Sequence, residues 1–124
     1  MKAAIIVLSD PKNGGEEALG RVFNALATAY DFAQRDVPVK IYFQGTGTRW
    51  PVELEKLEHP VNGLFVAVQQ HVVGVSCGCA DVFGARADAE KSGFSVVTDN
   101  AVPGTTGLPS LGQLTLDGYD VFTF

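Results

Sequence analysis

The sequence predicts a three-layer α/β/α sandwich built on a five-stranded, mainly parallel sheet. Short aliphatic runs alternate along the chain with segments of helical periodicity. The connections between successive runs are long enough to cross over a sheet, which is the pattern of parallel βαβ units. The chain has 124 residues and contains neither a linker nor an internal repeat. Residues 1–124 are therefore expected to form one domain.

The first strand, helix and second strand are predicted from the N-terminal third of the chain. Residues 3–8 form an uninterrupted aliphatic run, which is typical of a strand covered on both faces. A helix is predicted from Glu16, because apolar residues recur there at three- and four-residue spacing. A second strand follows at residues 39–43, parallel to the first because of the crossover length. The apolar positions of the helix are Leu19, Val22, Phe23, Leu26, Tyr30 and Ala33.

In the middle of the chain, the sequence pattern at residues 61–71 fits more than one type of secondary structure. A loop at residues 45–51 is expected to precede a short helix at residues 52–57. Residues 61–71 fit a strand by their β-branched content and a helix by their apolar spacing. A helix is favoured, because a crossover is needed before the apolar run at residues 72–75, which is predicted to be a buried strand.

The C-terminal part is predicted to contain two more helices and two more strands. A helical pattern begins near Ala80 and extends to Lys91. Gly84 is a plausible break in it, since glycine costs about 1 kcal/mol in a helix interior. The remaining expected elements are a strand at residues 94–97, a glycine- and threonine-rich loop at 98–107, a helix opened by Pro109 or Ser110, and a terminal strand at 119–124.

Composition excludes several classes of partner. The formal net charge is −5 and no basic run is present, so the chain is not expected to bind nucleic acid. The longest apolar runs fall far short of the ~18 residues of a membrane span. The N-terminus lacks the long apolar segment and cleavage site of a signal peptide, and two cysteines one residue apart make a poor structural cross-link. A cytoplasmic protein without a membrane partner is therefore expected.

Both cysteines of the chain, Cys77 and Cys79, fall in the break after the strand at residues 72–75. The loops that follow the strands of a parallel sheet share one edge, where ligands and catalytic groups lie. Unpaired N–H groups and the positive end of the dipole at a helix N-terminus favour a thiolate. The cysteines are thus expected at the centre of a cleft formed by residues 9–15, 45–50, 76–79 and 98–107.

The segment Cys77-Gly78-Cys79 has three interpretations. Both cysteines could be small buried hydrophobes with a structural role, which is common for free cysteine. As metal ligands they supply two of the about four that zinc needs, and neither His59 nor His71 stands at a motif spacing. The favoured interpretation is a reactive thiolate at a strand-to-helix turn. No metal is expected, because this ligand set is incomplete. No cofactor is expected either, because Gly-Thr-Gly at residues 45–47 lacks the rest of a phosphate-binding loop.

Segments along nearly the whole chain resemble the DsrE-like (DsrE/DsrF-type) sulfur-relay family. The most specific is the segment from Cys79 to Gly84, Cys-Ala-Asp-Val-Phe-Gly, which is similar to the family's cysteine–alanine segment ending in glycine. The opening strand with its Asp10-Pro11 turn, the run at residues 39–45 and the ending at residues 117–124 also resemble family segments. Many relatives with two cysteines here separate them by two residues, whereas this chain has one residue between them.

The resemblance implies a small parallel α/β fold that assembles into dimers, trimers or hexamers, and a cysteine that carries sulfur as a persulfide. It predicts a sulfur carrier or sulfurtransferase. The one-residue spacing leaves both Cys77 and Cys79 as matches to the family's carrier position; Cys79 is favoured as the carrier, with Cys77 as a neighbour able to resolve it. Sulfur donor and acceptor proteins would then be partners. The alternative is a non-catalytic oligomeric binding or regulatory module whose cysteines are structural.

Assembly is also predicted from the helix that begins at Glu16, whose apolar residues extend beyond one stripe. A surface helix usually keeps its opposite face polar. The excess, together with Trp50, Leu64 and Phe65, predicts an exposed apolar patch in the monomer. We therefore expect a homo-oligomer, and a trimer or hexamer by the family resemblance.

Overall fold

The computed structural model describes all residues from 1 to 124 and contains one five-stranded sheet. Every neighbouring pair of strands is parallel, so the prediction of a mainly parallel sheet is confirmed. The strands are β1 (Lys2–Val7), β2 (Val39–Phe43), β3 (Val72–Ser76), β4 (Val96–Val97) and β5 (Tyr119–Thr123). Their order across the sheet is β4-β3-β2-β1-β5.

Six α-helices connect these strands. The ambiguous segment at residues 61–71 is helical, as expected, and its last turn is a 3-10 helix, Gln69–His71. A second 3-10 turn, Gly45–Arg49, follows β2. The α-helices are α1 (Gly15–Gln34), α2 (Trp50–Leu54), α3 (Asn62–Val68), α4 (Cys77–Val82), α5 (Arg86–Lys91) and α6 (Leu111–Leu116). None of them is both long enough and apolar enough to span a bilayer.

The larger part of the core lies on one face of the sheet. Alternation along β1 sends Ile5 to that face, where it joins a cluster of 20 buried residues that includes Leu26 of α1 and Phe65 of α3. Ile6 points to the opposite face and packs in a cluster of only 5 buried residues with Leu114 of α6. Helices therefore cover both faces, as the three-layer prediction requires, and most of the apolar burial comes from the first face.

Some boundaries differ from the predicted ones. The helix expected near Ala80 begins three residues earlier, at Cys77, because the Ser76 side chain caps it. The expected break is real: the helix ends before Gly84, which has a φ of +70°, and α5 starts afterwards. Helix α2 ends at Leu54 rather than at residue 57, and β4 has only two residues.

The prediction of an exposed apolar patch is wrong for two of its aromatic residues. Trp50 is 3% exposed and Phe65 is fully buried, because both belong to the main core. The Trp50 indole N–H also donates to the Ser9 hydroxyl at 3.1 Å. On α1, however, Phe23 and Tyr30 remain 50% and 43% exposed. An apolar surface therefore exists on α1, but Trp50 and Phe65 do not contribute to it.

Candidate functional site

The loops that follow β1 and β2 meet at the carboxyl edge of the sheet, as the parallel topology predicts. Arg49 Nη1 contacts both carboxylate oxygens of Asp10 at 3.1 Å. Its Nε donates to the Phe83 carbonyl at 3.3 Å, and its guanidinium lies 5.8 Å from the centre of the Phe83 ring. One side chain thus links the β1 loop, the β2 loop and the end of α4.

The Asp10 carboxylate is held in its charged form by this arrangement. Burial raises the pKa of Asp10, but hydrogen bonds from the Lys12 backbone N–H, the Asn13 amide and Arg49 outweigh burial, so the net pKa lies below the ordinary 3.8. The Lys12 and Asn13 bonds are 2.8 and 3.0 Å long. The ion pair with Arg49 is therefore complete at neutral pH.

The two cysteines occupy different environments in the first turn of α4. Cys77 is 2% exposed, whereas Cys79 is half-buried. Residues two positions apart on a helix do not face each other, but residues three and four apart share a face. Cys79 therefore lies on the same stripe as Val82 and Phe83, which are 72% and 37% exposed. Of the two thiols, Cys79 is the one that another molecule can reach.

The residue between the cysteines has to be small. The backbone N–H of Gly78 donates to the Gly107 carbonyl at 2.7 Å. A Cβ atom at position 78 would lie 2.9 Å from the Leu108 side chain and 3.1 Å from the Gly107 oxygen. Thr106 also donates to the Asp81 carboxylate at 2.6 Å. The loop after β4 is thus docked on the start of α4, so the loops converge near the cysteines as predicted. Neither cysteine lines any of the three main cavities, however, so the expected cleft is not centred on the cysteines.

A second arginine, Arg86, joins α5 to α4. Arg86 donates to Glu90 at 2.7 Å and to Asp81 at 3.2 Å. The hydrogen bond with Glu90, then that with Asp81 and the nearby Cys77, hold the pKa of Arg86 above its ordinary value. The Thr106 hydrogen bond lowers the pKa of Asp81, and Arg86 adds to this effect against the cost of burial. Arg86 therefore stays charged within a network that it forms with Asp81 and Glu90.

The structure does not bring the two histidines to the cysteines as a ligand set. His59 packs edge-on against Trp50 and accepts a hydrogen bond from the Val61 N–H at 3.1 Å. His71 immediately precedes the N-terminal end of β3, whereas the cysteines follow its C-terminal end. No group of three or more His, Cys, Asp and Glu side chains forms a metal-binding cluster.

The family model described as the DsrE/DsrF-like family matches residues 1–124, the whole chain. The chain belongs to the DsrE/DsrF-like family. This family is generally one of sulfur-relay components, which agrees with the resemblance seen in the sequence. Searches of curated proteins and of solved structures returned no significant match.

Three side chains of this DsrE/DsrF-like protein, Ser76, Arg49 and Arg86, were given no role from the sequence, although Ser76 and Arg49 lie in the loops that were expected to converge. The N-cap role of Ser76 could have been predicted from the adjacent sequence, because serine between a strand and a helix is a common N-cap. Arg49 had no such local signal, since its partner Asp10 lies 39 positions away. Arg86 carries an ordinary helical ion pair with Glu90, and only the folded chain places it near Cys77.

Proposed function

We propose that this DsrE/DsrF-like protein is a sulfur carrier or sulfurtransferase that holds sulfur as a persulfide on Cys79. The observation that carries the proposal is the difference between its two thiols. Cys79 is half-buried on the outward stripe of α4, at the edge where the loops converge, whereas Cys77 is 2% exposed. Membership of a family that generally serves sulfur relay supports the same chemistry.

The transfer itself is a thiol exchange. The Cys79 thiolate attacks the outer sulfur of a donor persulfide, so that an S–S bond forms to Cys79 while the S–S bond of the donor breaks. The donor leaves as a thiolate and takes up a proton. An acceptor thiolate then attacks the outer sulfur on Cys79 in the same way. Neither step needs an external oxidant or reductant.

The acceptor thiol is proposed to come from another molecule rather than from Cys77. Cys77 and Cys79 stand two positions apart on α4, where side chains point in different directions. A disulfide between them would require the first turn of α4 to unwind, which would break the Ser76 cap. Cys77 is therefore better suited to packing the inside of the turn, in place of the resolving role expected from the sequence.

The second candidate function is a non-catalytic binding or regulatory module, and the burial of Cys77 is the observation that favours it. In that case Cys79 would pack the turn in the same way as Cys77 and would carry no sulfur. The two candidates differ in a measurable property, the ability of Cys79 to accept a persulfide sulfur.

Loading with a persulfide donor followed by intact mass measurement separates the two candidates. A sulfur carrier gains about 32 Da per sulfur bound, and the gain is reversed by a reducing agent. The adduct is expected on wild type and on Cys77→Ser, and it should be absent from Cys79→Ser. An adduct that survives in Cys79→Ser, or none on wild type, would exclude Cys79 as the carrier.

Assembly and compartment complete the proposal. Phe23 and Tyr30 are seven positions apart on α1, hence on one face, and both remain about half exposed. We propose that this face joins copies of the chain into a homo-oligomer, a trimer or hexamer as in the family that the sequence resembles.

A persulfide relay needs thiols that stay reduced between turnovers, which fits a cytoplasmic protein with donor and acceptor protein partners.

A further inference from the structure

A cavity of about 470 Å³ opens at the same edge of the sheet as Cys79. This volume falls within the range of small-molecule sites in proteins. Phe83 forms part of its wall, and the Phe83 N–H donates to the Cys79 carbonyl in the i to i−4 pattern of a helix. Side chains at that spacing have Cβ atoms about 5–6 Å apart. Phe83, which forms one wall of the cavity, therefore lies one helical turn from Cys79, which does not itself line the cavity.

Two cations line this cavity. Arg49 is held in place by Asp10 and the Phe83 carbonyl, which engage its Nη1 and Nε, while its Nη2 makes no hydrogen bond in the protein. Lys12 lines the cavity from the β1 loop, and its ammonium takes part in none of the salt bridges of the chain. A fixed guanidinium and a flexible ammonium together suit a carboxylate.

An unpaired carboxylate lies on the α5 side of the same cavity. Asp88 lines it, and its side chain forms neither a salt bridge nor a hydrogen bond within the protein. Glu53 also lines the cavity but is paired with Lys56 at 2.8 Å. Apolar wall is supplied by Pro11, Val52, Phe83, Ala85 and Ala89. Free groups of both signs thus line one cavity, a pattern that suits a zwitterion with an apolar middle.

We propose that this cavity binds a low-molecular-weight thiol of the amino-acid or small-peptide class, with its carboxylate at Arg49 and Lys12 and its ammonium at Asp88. Bound as a persulfide, this molecule donates its outer sulfur to Cys79. The bond forms between Cys79 Sγ and that sulfur, the S–S bond of the small molecule breaks, and its thiolate leaves and takes up a proton. The site rests on the proposed function and deepens it by naming the class of donor.

Binding is tested with probes that cannot transfer sulfur, S-methylcysteine and S-methylglutathione, titrated by calorimetry or by amide NMR shifts. Saturable binding of at least one probe is expected. Lys12→Ala and Asp88→Asn should each weaken it by about three- to fivefold, as expected of exposed ion pairs. Both residues are exposed, so the variants should fold. Lys91→Ala and Asp120→Asn, which remove exposed charges outside the cavity, should leave the affinity unchanged.

A third probe identifies which end of the ligand meets Asp88. N-acetyl-S-methylcysteine lacks the ammonium, so it should bind wild type more weakly and should not respond to Asp88→Asn, while it still responds to Lys12→Ala. The proposal would be overturned if no probe binds saturably. It would also be overturned if the affinity is the same in wild type, Lys12→Ala and Asp88→Asn.

The persulfide-loading measurement separates this inference from the proposed function. If Cys79 loads from inorganic polysulfide but the probes do not bind, the cavity inference is overturned and the carrier function stands. If the probes bind with the expected dependence on Lys12 and Asp88 but Cys79 accepts sulfur from no donor, the carrier function and the delivery step are overturned. The expected result is probe binding together with faster loading of Cys79 from glutathione persulfide in wild type than in Asp88→Asn.

Discussion

Cys79 donates its backbone N–H to the hydroxyl oxygen of Ser76 at 3.3 Å, and this contact determines where α4 begins. Because Ser76 is the N-cap, Cys77 becomes the first residue of the helix and Cys79 the third. The periodicity of the helix then turns Cys77 inward and Cys79 outward. The difference between the two thiols, on which the proposed function depends, follows from this start position.

Removing this cap should destabilise the protein. Ser76→Ala is expected to lower the free energy of unfolding by about 1 kcal/mol, the usual value of an N-cap side chain. Denaturant titration measures the change. Ser110→Ala is the matched control, because Ser110 caps α6 with a 3.1 Å bond to the Gln113 N–H. Only Ser76→Ala should also alter the alkylation rate of Cys79, and an unchanged rate would show that the cap does not position the thiol.

The two thiols should react at different rates in the folded protein. Iodoacetamide is expected to modify Cys79 well before Cys77, because Cys77 is 2% exposed and Cys79 is half-buried. Peptide mass spectrometry of timed samples gives both rates. The difference should disappear in urea, where both side chains are exposed. Equal rates in the native protein would contradict the assignment of Cys79 as the reachable thiol.

The ion pair between Asp10 and Arg49 should make the free energy of unfolding depend on pH. The folded-state pKa of Asp10 lies below its ordinary 3.8, so its contribution is present above the unfolded-state pKa and is lost as the pH falls through the folded-state value. Asp10→Asn is expected to cost about 1 kcal/mol near neutral pH, since the pair is partly shielded from solvent.

The cost of Asp10→Asn should shrink as the pH is lowered below about 4, which denaturant titrations at several pH values would measure. Asp31→Asn is the control, because the Asp31–Arg35 pair is largely exposed and should contribute about 0.3–0.5 kcal/mol. A cost for Asp10→Asn that stays constant with pH would mean that the charge of Asp10 does not contribute to stability.

Gly78 should not tolerate a side chain. In Gly78→Ala the added methyl would meet the Leu108 side chain at 2.9 Å and the Gly107 carbonyl at 3.1 Å, so the docked loop has to shift. Overpacking of this kind costs about 1–3 kcal/mol. Gly20→Ala in α1 is the control, since nothing lies near that position, and it should stabilise the helix by up to about 1 kcal/mol. Equal effects of the two changes would contradict the tight contact.

Assembly should depend on the exposed face of α1. Light scattering at micromolar concentration is expected to give a mass that is a multiple of 13.1 kDa. Phe23→Glu should shift the protein towards the monomer, because it places a charge on the proposed interface. Leu116→Glu, at an 83% exposed apolar residue of α6, serves as the control. A monomer that persists for wild type on concentration would refute the oligomer.

Periodicity and connection length were enough to predict the architecture before the structure was known. The aliphatic runs of β1 and β2 and the crossover helix between them are local patterns, and the right parallel sheet follows from their order along the chain. The convergence of the loops at the cysteines was predictable for the same reason. The start of α4 was predicted three residues too late, because a cap is a side-chain contact that apolar periodicity does not report.

The sequence by itself determined that two cysteines stand at the carboxyl edge of a parallel sheet in a DsrE/DsrF-like chain. The folded structure decided which of them is reachable, since the Ser76 cap sets where α4 begins and the loop at Gly107 and Leu108 packs against the same turn at Gly78. It also decided that Arg49 meets Asp10 and that Trp50 is buried, because these contacts join residues about forty positions apart. No local pattern encodes such pairs, which form only when the strands bring their loops to one edge.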